Sequence, residues 1–318
     1  MKFPPEADRQ CADAVLMIRP ARFGANPETA DSNRFQQGEA GTDAPHAARR
    51  EFDGLVVRLR EAGVAVEVVE DTPEPAKPDA CFPNNWVSFH DDGSVVLYPM
   101  MAPSRRAERR AEPIAQLREA GFRVARTIDL SLWEARDEFL EGTGSLVLDR
   151  CHRIAYACRS PRTTADALAD FAERLGYRTV AFDAQGPDGW PTYHTNVLMA
   201  IGEKFAVVCD AAIPDPEERA TVLCELHRAG HEPIRISVAE MHGFAGNLLA
   251  LRSADGGQVI AMSDTAWQSL APATRRALER HGRIVSAPIP TIERHGGGSV
   301  RCMIAEVFLP RGTRGGRC

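Results

Sequence analysis

The sequence predicts an α/β fold of five repeated strand–strand–helix–strand units closed into a ring. Three observations lead there. Five charged amphipathic segments each end at a glycine: LREAGVAVEVV (59–69), LREAGFRVART (117–127), AERLGYRTVAF (172–182), LHRAGHEPIRI (226–236) and LERHGRIVSAP (278–288). The glycines, Gly63, Gly121, Gly176, Gly230 and Gly282, are spaced by 58, 55, 54 and 52 residues. A β-rich run follows each corner, and a further strand-like run comes later in the unit.

Within a unit, each element has its own signal. The amphipathic stretch reads as a helix, and its glycine as a C-cap that takes the left-handed conformation without steric cost. The run after the glycine reads as a strand packed against that helix. SVVLYPM (94–100), HRIAYAC (152–158), KFAVVCD (204–210) and QVIAMSD (258–264) read as the further strands. Residues 12–310 are expected to form one domain, and RGTRGGRC (311–318) a disordered tail with Cys318 incidental. The polar stretch 26–50 is long for a connection and is expected to lie over the ring's axis as a cover.

Composition narrows the function. The 318 residues carry 44% hydrophobic and 26% charged side chains, the balance of a soluble globular protein. A net charge of −6 argues against a nucleic-acid partner, because phosphate binding needs a basic surface. No apolar run is long enough for a membrane span. MKFPPEADRQ at the start lacks an apolar signal core. The eight cysteines form no CxxC pair, so a reduced cytoplasmic setting without a zinc site is expected.

Counting forward from each glycine reaches Asn85, Glu141, His194, Asn247 and Cys302. In a ring, equivalent positions face a common axis, so an amide, a carboxylate, an imidazole, a second amide and a thiol are expected to converge. GGGSVRCM (296–303) puts Cys302 between a glycine-rich turn and a strand, a rigid and accessible place for a nucleophile. YHTN (193–196) opens an apolar strand with His194, and EGTGS (141–145) does the same with Glu141. A Cys–His–Glu constellation suits covalent catalysis. Cys158, Cys209 and Cys224 lie in apolar runs and read as core. His46, His227, His231 and His281 lie in charged contexts and read as surface.

Taken in order, APSRR (102–106), EGTGS, SPRT (160–163), YHTN and GGGSVRCM resemble the guanidino-group-modifying enzymes. Strings such as FPNNW (82–86), LYPMMAP (97–103), EGTGSLVLDR (141–150) and IAEVFLP (304–310) resemble, within that superfamily, the arginine-deiminase-related citrulline utilization hydrolases. The resemblance implies the five-bladed α/β propeller called the pentein fold and a reaction without metal or organic cofactor. It implies Cys302 as nucleophile, His194 as general acid/base and Glu141 as the carboxylate gripping the substrate's terminal nitrogens. Arg162 and Arg105 are implied to hold the carboxylate of an amino-acid substrate.

Two departures refine the substrate. Where arginine deiminases and amidinotransferases carry an aspartate after the phenylalanine, this chain has Asn85. Where they carry HxD, it has His194-Thr195-Asn196. Amides offer a neutral donor and acceptor, which suits the ureido group of citrulline better than a guanidinium. The expected reaction is a hydrolysis of citrulline to ornithine, carbon dioxide and ammonia through a covalent Cys302 intermediate. Alternatives are a guanidine hydrolase of the arginine deiminase or dimethylarginine hydrolase type, an amidinotransferase, and a non-catalytic binding propeller. Asn84 and Asn247 receive no role.

Overall fold

The computed structural model describes residues 9–38, 41–186 and 189–312. Its strands fall into five sheets of three. They are β1 (Ala14–Arg19), β2 (Ala65–Glu70), β3 (Val87–Phe89), β4 (Ser94–Leu97), β5 (Arg126–Asp129), β6 (Val147–Asp149), β7 (Ile154–Cys158), β8 (Arg178–Phe182), β9 (Met199–Ile201), β10 (Phe205–Val208), β11 (Glu232–Arg235), β12 (Leu249–Arg252), β13 (Gln258–Ser263), β14 (Arg283–Ala287) and β15 (Ala305–Glu306).

All five sheets share one pattern. A short strand runs antiparallel to the middle strand, and the third runs parallel to it. A parallel neighbour cannot follow through a hairpin; it needs a crossover. Five helices supply the crossovers: α1 (Ala44–Glu61), α2 (Glu112–Glu119), α3 (Ala165–Leu175), α4 (Pro216–Arg228) and α5 (Pro272–Glu279). The predicted unit is thus present five times. In the first sheet the first and last strands of the described residues meet, since β15 pairs antiparallel with β1 through Val15–Glu306 and Leu16–Ala305.

Periodicity explains how the helices dock. α1 buries Ala48, Phe52, Leu55, Val56 and Leu59, an apolar stripe at helical spacing. Proline stands in the first turn of α1, α2, α4 and α5, where its missing N–H costs nothing. Asp215 caps α4 by accepting from the backbone N–H of Glu217 and Glu218. The corners after α1 to α4 turn on Gly63, Gly121, Gly176 and Gly230, with φ of 83°, 93°, 69° and 78°.

Several expectations need correction. Gly282 is not in the left-handed region; it is required because a Cβ there would lie 2.7 Å from the Gln258 carbonyl oxygen. Residues 44–50 are not loop but the first turns of α1. His231 is buried at 4% exposure, because a carboxylate from another sheet meets its ring. Cys224 is exposed on α4, so the apolar run around it is one face of an amphipathic helix. Arg311 and Gly312 bridge to Phe122 and Gly121. The rest of the expected tail, with Cys318, lies outside the described residues. No described helix is long and apolar enough to cross a membrane.

Candidate active site

Five short turns, each just ahead of the first strand of a sheet, build the site. Asn85 ends the 3-10 turn Pro83–Asn85 before β3. Glu141 stands immediately before the helical turn Gly142–Ser145 that precedes β6. His194 stands immediately before the 3-10 turn Thr195–Val197 that precedes β9. Asn247 stands two residues before β12, and Cys302 three before β15. These are the five positions that counting from the glycines picked out.

They do converge. A pocket with about 280 Å³ of atom-free space, part of it open to solvent, is lined by Asn85, His194 and Cys302 together with Arg105 and Arg162. Glu141 and Asn196 stand directly behind this lining: Glu141 bonds to His194, and Asn196 to Cys302. All seven residues singled out in the sequence therefore belong to one cluster, and each is buried.

His194 Nε2 lies 2.9 Å from Glu141 Oε2. Glu141 is fully buried, which alone would raise its pKa. The nearby Arg162, the hydrogen bond from His194 and the Arg105 charge overcome that and hold the carboxyl well below its usual range. It is therefore an ionised acceptor, and Nε2 carries the proton donated to it. The His194 lone pair is then on Nδ1. Burial pushes the His194 pKa down to about 4 despite the Glu141 charge, so the resting imidazole is neutral.

The Cys302 sulfur is surrounded by amides. Asn247 Nδ2 approaches to 3.3 Å and Asn196 Nδ2 to 3.5 Å. Asn247 Nδ2 also donates to the Asn196 backbone carbonyl at 3.1 Å, which fixes its direction. Two amide N–H groups thus face the sulfur, and the Asn247 Oδ1 lies 3.6 Å from it.

Arg105, expected as a ligand for substrate carboxylate, spends most of its donors inside the protein. It makes two bonds of 2.9 Å to Glu108, one of 2.8 Å to Asn85 Oδ1 and a longer one of 3.4 Å to the Phe82 carbonyl. Guanidinium is donor-only, so the Asn85 oxygen must face it. Asn85 Nδ2 is left buried without a hydrogen-bond partner among the described residues. A Cβ on Gly144 would come within 2.4 Å of that nitrogen and 2.7 Å of His194 Nδ1, so both groups border the same small space.

Arg162 donates to Ser32 Oγ, to the Thr29 carbonyl at 3.3 Å and to Glu141 at 3.4 Å. Part of the 26–50 stretch thus reaches the pocket, whose lining includes Thr29 and Asn33. Asn26 anchors it by donating to Asp79 Oδ2 at 2.8 Å. Asn33 Nδ2 donates to the Gly296 carbonyl at 3.2 Å, next to the glycine-rich turn.

Sequence reasoning missed Asp79, Tyr193 and Asn33, which also line the pocket. Asp79 precedes an apolar ACF triplet in DACFPNN, and a carboxylate entering a buried run was the available signal. Burial raises its pKa, with Arg105 pulling the other way. Asn33 gave no signal, since its polar surroundings look like any surface loop.

The sequence matches the family described as N,N dimethylarginine dimethylhydrolase, eukaryotic, over residues 19–309. No curated protein matches it. Among solved structures, the product-bound N-terminal domain of ArgZ, a cyanobacterial arginine dihydrolase from the ornithine-ammonia cycle, superimposes with a TM-score of 0.72 at 19% identity. That likeness covers 93% of this chain and 99% of that one. Unliganded AgrE gives 0.73 at 18% identity, over 95% of this chain but 40% of its own longer one. A mutant of the Pseudomonas aeruginosa enzyme DDAH complexed with citrulline gives 0.64 at 15% identity, covering 93% of this chain and 99% of that one. At these identities the likeness is one of fold.

Proposed function

This chain belongs to the N,N-dimethylarginine dimethylhydrolase family, a family of carbon–nitrogen hydrolases, and on that premise we propose that it hydrolyses the ureido group of citrulline. The observation that carries the reading is the orientation of Asn85. Arg105 takes its only side-chain acceptor, so Asn85 offers the pocket N–H alone. A ureido oxygen accepts such a donor. A guanidinium, which has only donors, would meet it donor to donor.

In the proposed mechanism, neutral His194 takes the Cys302 proton and becomes an imidazolium held by Glu141. The thiolate attacks the ureido carbon, and Asn85 donates to the developing oxyanion. Imidazolium returns the proton to the departing nitrogen, the carbon–nitrogen bond breaks and ammonia leaves. An N-alkyl thiocarbamate remains on sulfur. His194 then takes a proton from water, hydroxide attacks the same carbon, and the carbon–sulfur bond breaks. Cys302 recovers its proton, and the released carbamate decays to ornithine and carbon dioxide. Asn196 and Asn247 steady the thiolate in both halves. Arg162 meets the amino-acid carboxylate, and Arg105 orients Asn85 rather than holding substrate.

The same reading takes the five sheets as the blades of one pentein propeller spanning residues 12–310. The pairing of β15 with β1 and the convergence of five pre-strand turns support it. A crystal structure with a pseudo-fivefold axis through the pocket is the expected result; an open or two-domain arrangement would reject it.

One observation favours a second reading. Asp79 lines the pocket and Glu141 stands behind it, so a cationic head would find carboxylates. In that reading the thiolate attacks the guanidinium carbon of arginine and one ammonia leaves; water then adds to the resulting amidino adduct and a second ammonia leaves, which gives the same thiocarbamate. Incubation with citrulline, arginine and dimethylated arginine separates the two. Ornithine, ammonia and carbon dioxide from citrulline support the proposal. Turnover of a guanidino substrate that stops at citrulline, with citrulline itself untouched, rejects it.

A further inference from the structure

A second cluster lies apart from this pocket, where the third and fourth sheets meet. Asp149 ends β6. His152 follows in the turn to β7, and His231 stands just before β11. One ligand atom from each lies within 4.8 Å of the others. His231 Nε2 is 2.8 Å from Asp149 Oδ2, and His152 Nδ1 is 2.9 Å from both oxygens of the same carboxylate. The backbone N–H of His152 donates to Asp149 Oδ1 at 3.0 Å, which locks the carboxylate in place.

We propose that Asp149, His152 and His231 form a binding site for a late first-row divalent metal ion, with zinc as the test case. Two imidazoles and a carboxylate are a donor set such ions accept. A tetrahedral ion with bonds near 2.1 Å places its ligand atoms roughly 3.4 Å apart, within the span seen here. The competing arrangement is a carboxylate bridging two imidazoles by hydrogen bonds alone. Two features favour the ion. His152 Nδ1 is equidistant from both carboxylate oxygens, and one N–H cannot point well at both. Tyr156 shares a face of the β6–β7 pair with Asp149, and its buried hydroxyl has no hydrogen-bond partner among the described residues. A water completing the coordination shell would offer that hydroxyl a partner.

Asp149 and His231 are buried and fixed, whereas the His152 side chain is 46% exposed and opens the site to solvent. An ion here would tie the third sheet to the fourth and leave the reaction chemistry alone. No sequence spacing announced it, because only Asp149 and His152 are neighbours along the chain.

The test is zinc titration of the full chain against a chromophoric chelator, in the native protein and in Cys302→Ser, His152→Gln and Asp149→Asn variants. His152 is exposed, so its substitution leaves the fold intact. One equivalent is expected in the native and Cys302→Ser proteins, with affinity falling at least tenfold in His152→Gln. Asp149→Asn should weaken binding similarly. Added zinc should raise the unfolding temperature of the native protein but not of His152→Gln. Cobalt bound in place of zinc should lack the intense near-ultraviolet band of thiolate ligation. Absence of binding, binding lost in Cys302→Ser, or binding indifferent to both His152→Gln and Asp149→Asn would overturn the proposal.

Discussion

Asn85 is neutral, yet its effect depends on a charge beside it. Arg105 sets which end of the amide faces the pocket. Asn85→Asp would let Arg105 pair with a carboxylate and present an acceptor to the substrate. We expect kcat/KM for citrulline to fall about 100-fold or more, in the range of a lost oxyanion donor, while discrimination against arginine weakens. Steady-state kinetics on both substrates checks this, and unchanged citrulline turnover would remove Asn85 from the mechanism. Gly144→Ala should abolish turnover in a folded protein, because the added methyl would sit on Asn85 Nδ2 and His194 Nδ1. The depressed His194 pKa carries a pH prediction. Neutral imidazole is the working form, so the acid limb of kcat/KM should fall near pH 4 rather than 6.5. The same shift bears on stability. Between those values the unfolded chain binds a proton that the folded one refuses, so this contribution is intact above 6.5 and is lost as pH falls towards 4. An acid limb near 6.5 would contradict the assignment. At this scale the sequence exposed the polar residues that open apolar strands, as with His194 and Glu141. It could not show that Arg105 would be consumed by Glu108 and Asn85, since that depends on donors and acceptors meeting across the fold.

Among the elements, the helices bury apolar stripes and the pre-strand turns supply the polar groups in and behind the pocket lining. Phe52, on the buried stripe of α1, is wholly enclosed. Phe52→Ala should cost about 3–5 kcal/mol of stability, read by denaturant unfolding, with kcat per folded molecule unchanged. Asp215→Ala removes the cap of α4 and should cost about 1 kcal/mol, again without effect on kcat; a large loss of activity would mean α4 communicates with the pocket. Helices and corner glycines were legible because periodicity and a positive φ are local demands. The lining from residues 29–33 was not, because Thr29 and Asn33 owe their place to partners far along the chain.

At the scale of the whole molecule, the first and last strands of the described residues are joined by backbone hydrogen bonds. β15 has only two residues, but the segment after it continues the contact, with Val307 N–H donating to the Ala14 carbonyl at 2.9 Å, and is then held elsewhere by Arg123 N–H donating to the Pro310 carbonyl at 2.8 Å. A chain ending at Ile304 would keep Cys302 yet leave β1 without its antiparallel neighbour. Loss of cooperative unfolding is expected, measured by circular dichroism during heating; a normal transition would show that the closing contact is dispensable.

The active site has no nucleus of its own: its five groups are contributed from positions spread between residues 85 and 302. During recovery from denaturant, burial of Trp86 can signal that one neighbourhood has formed while the pocket is still in pieces. Turnover should therefore return later than tryptophan fluorescence, making catalysis a gauge of the final assembly step.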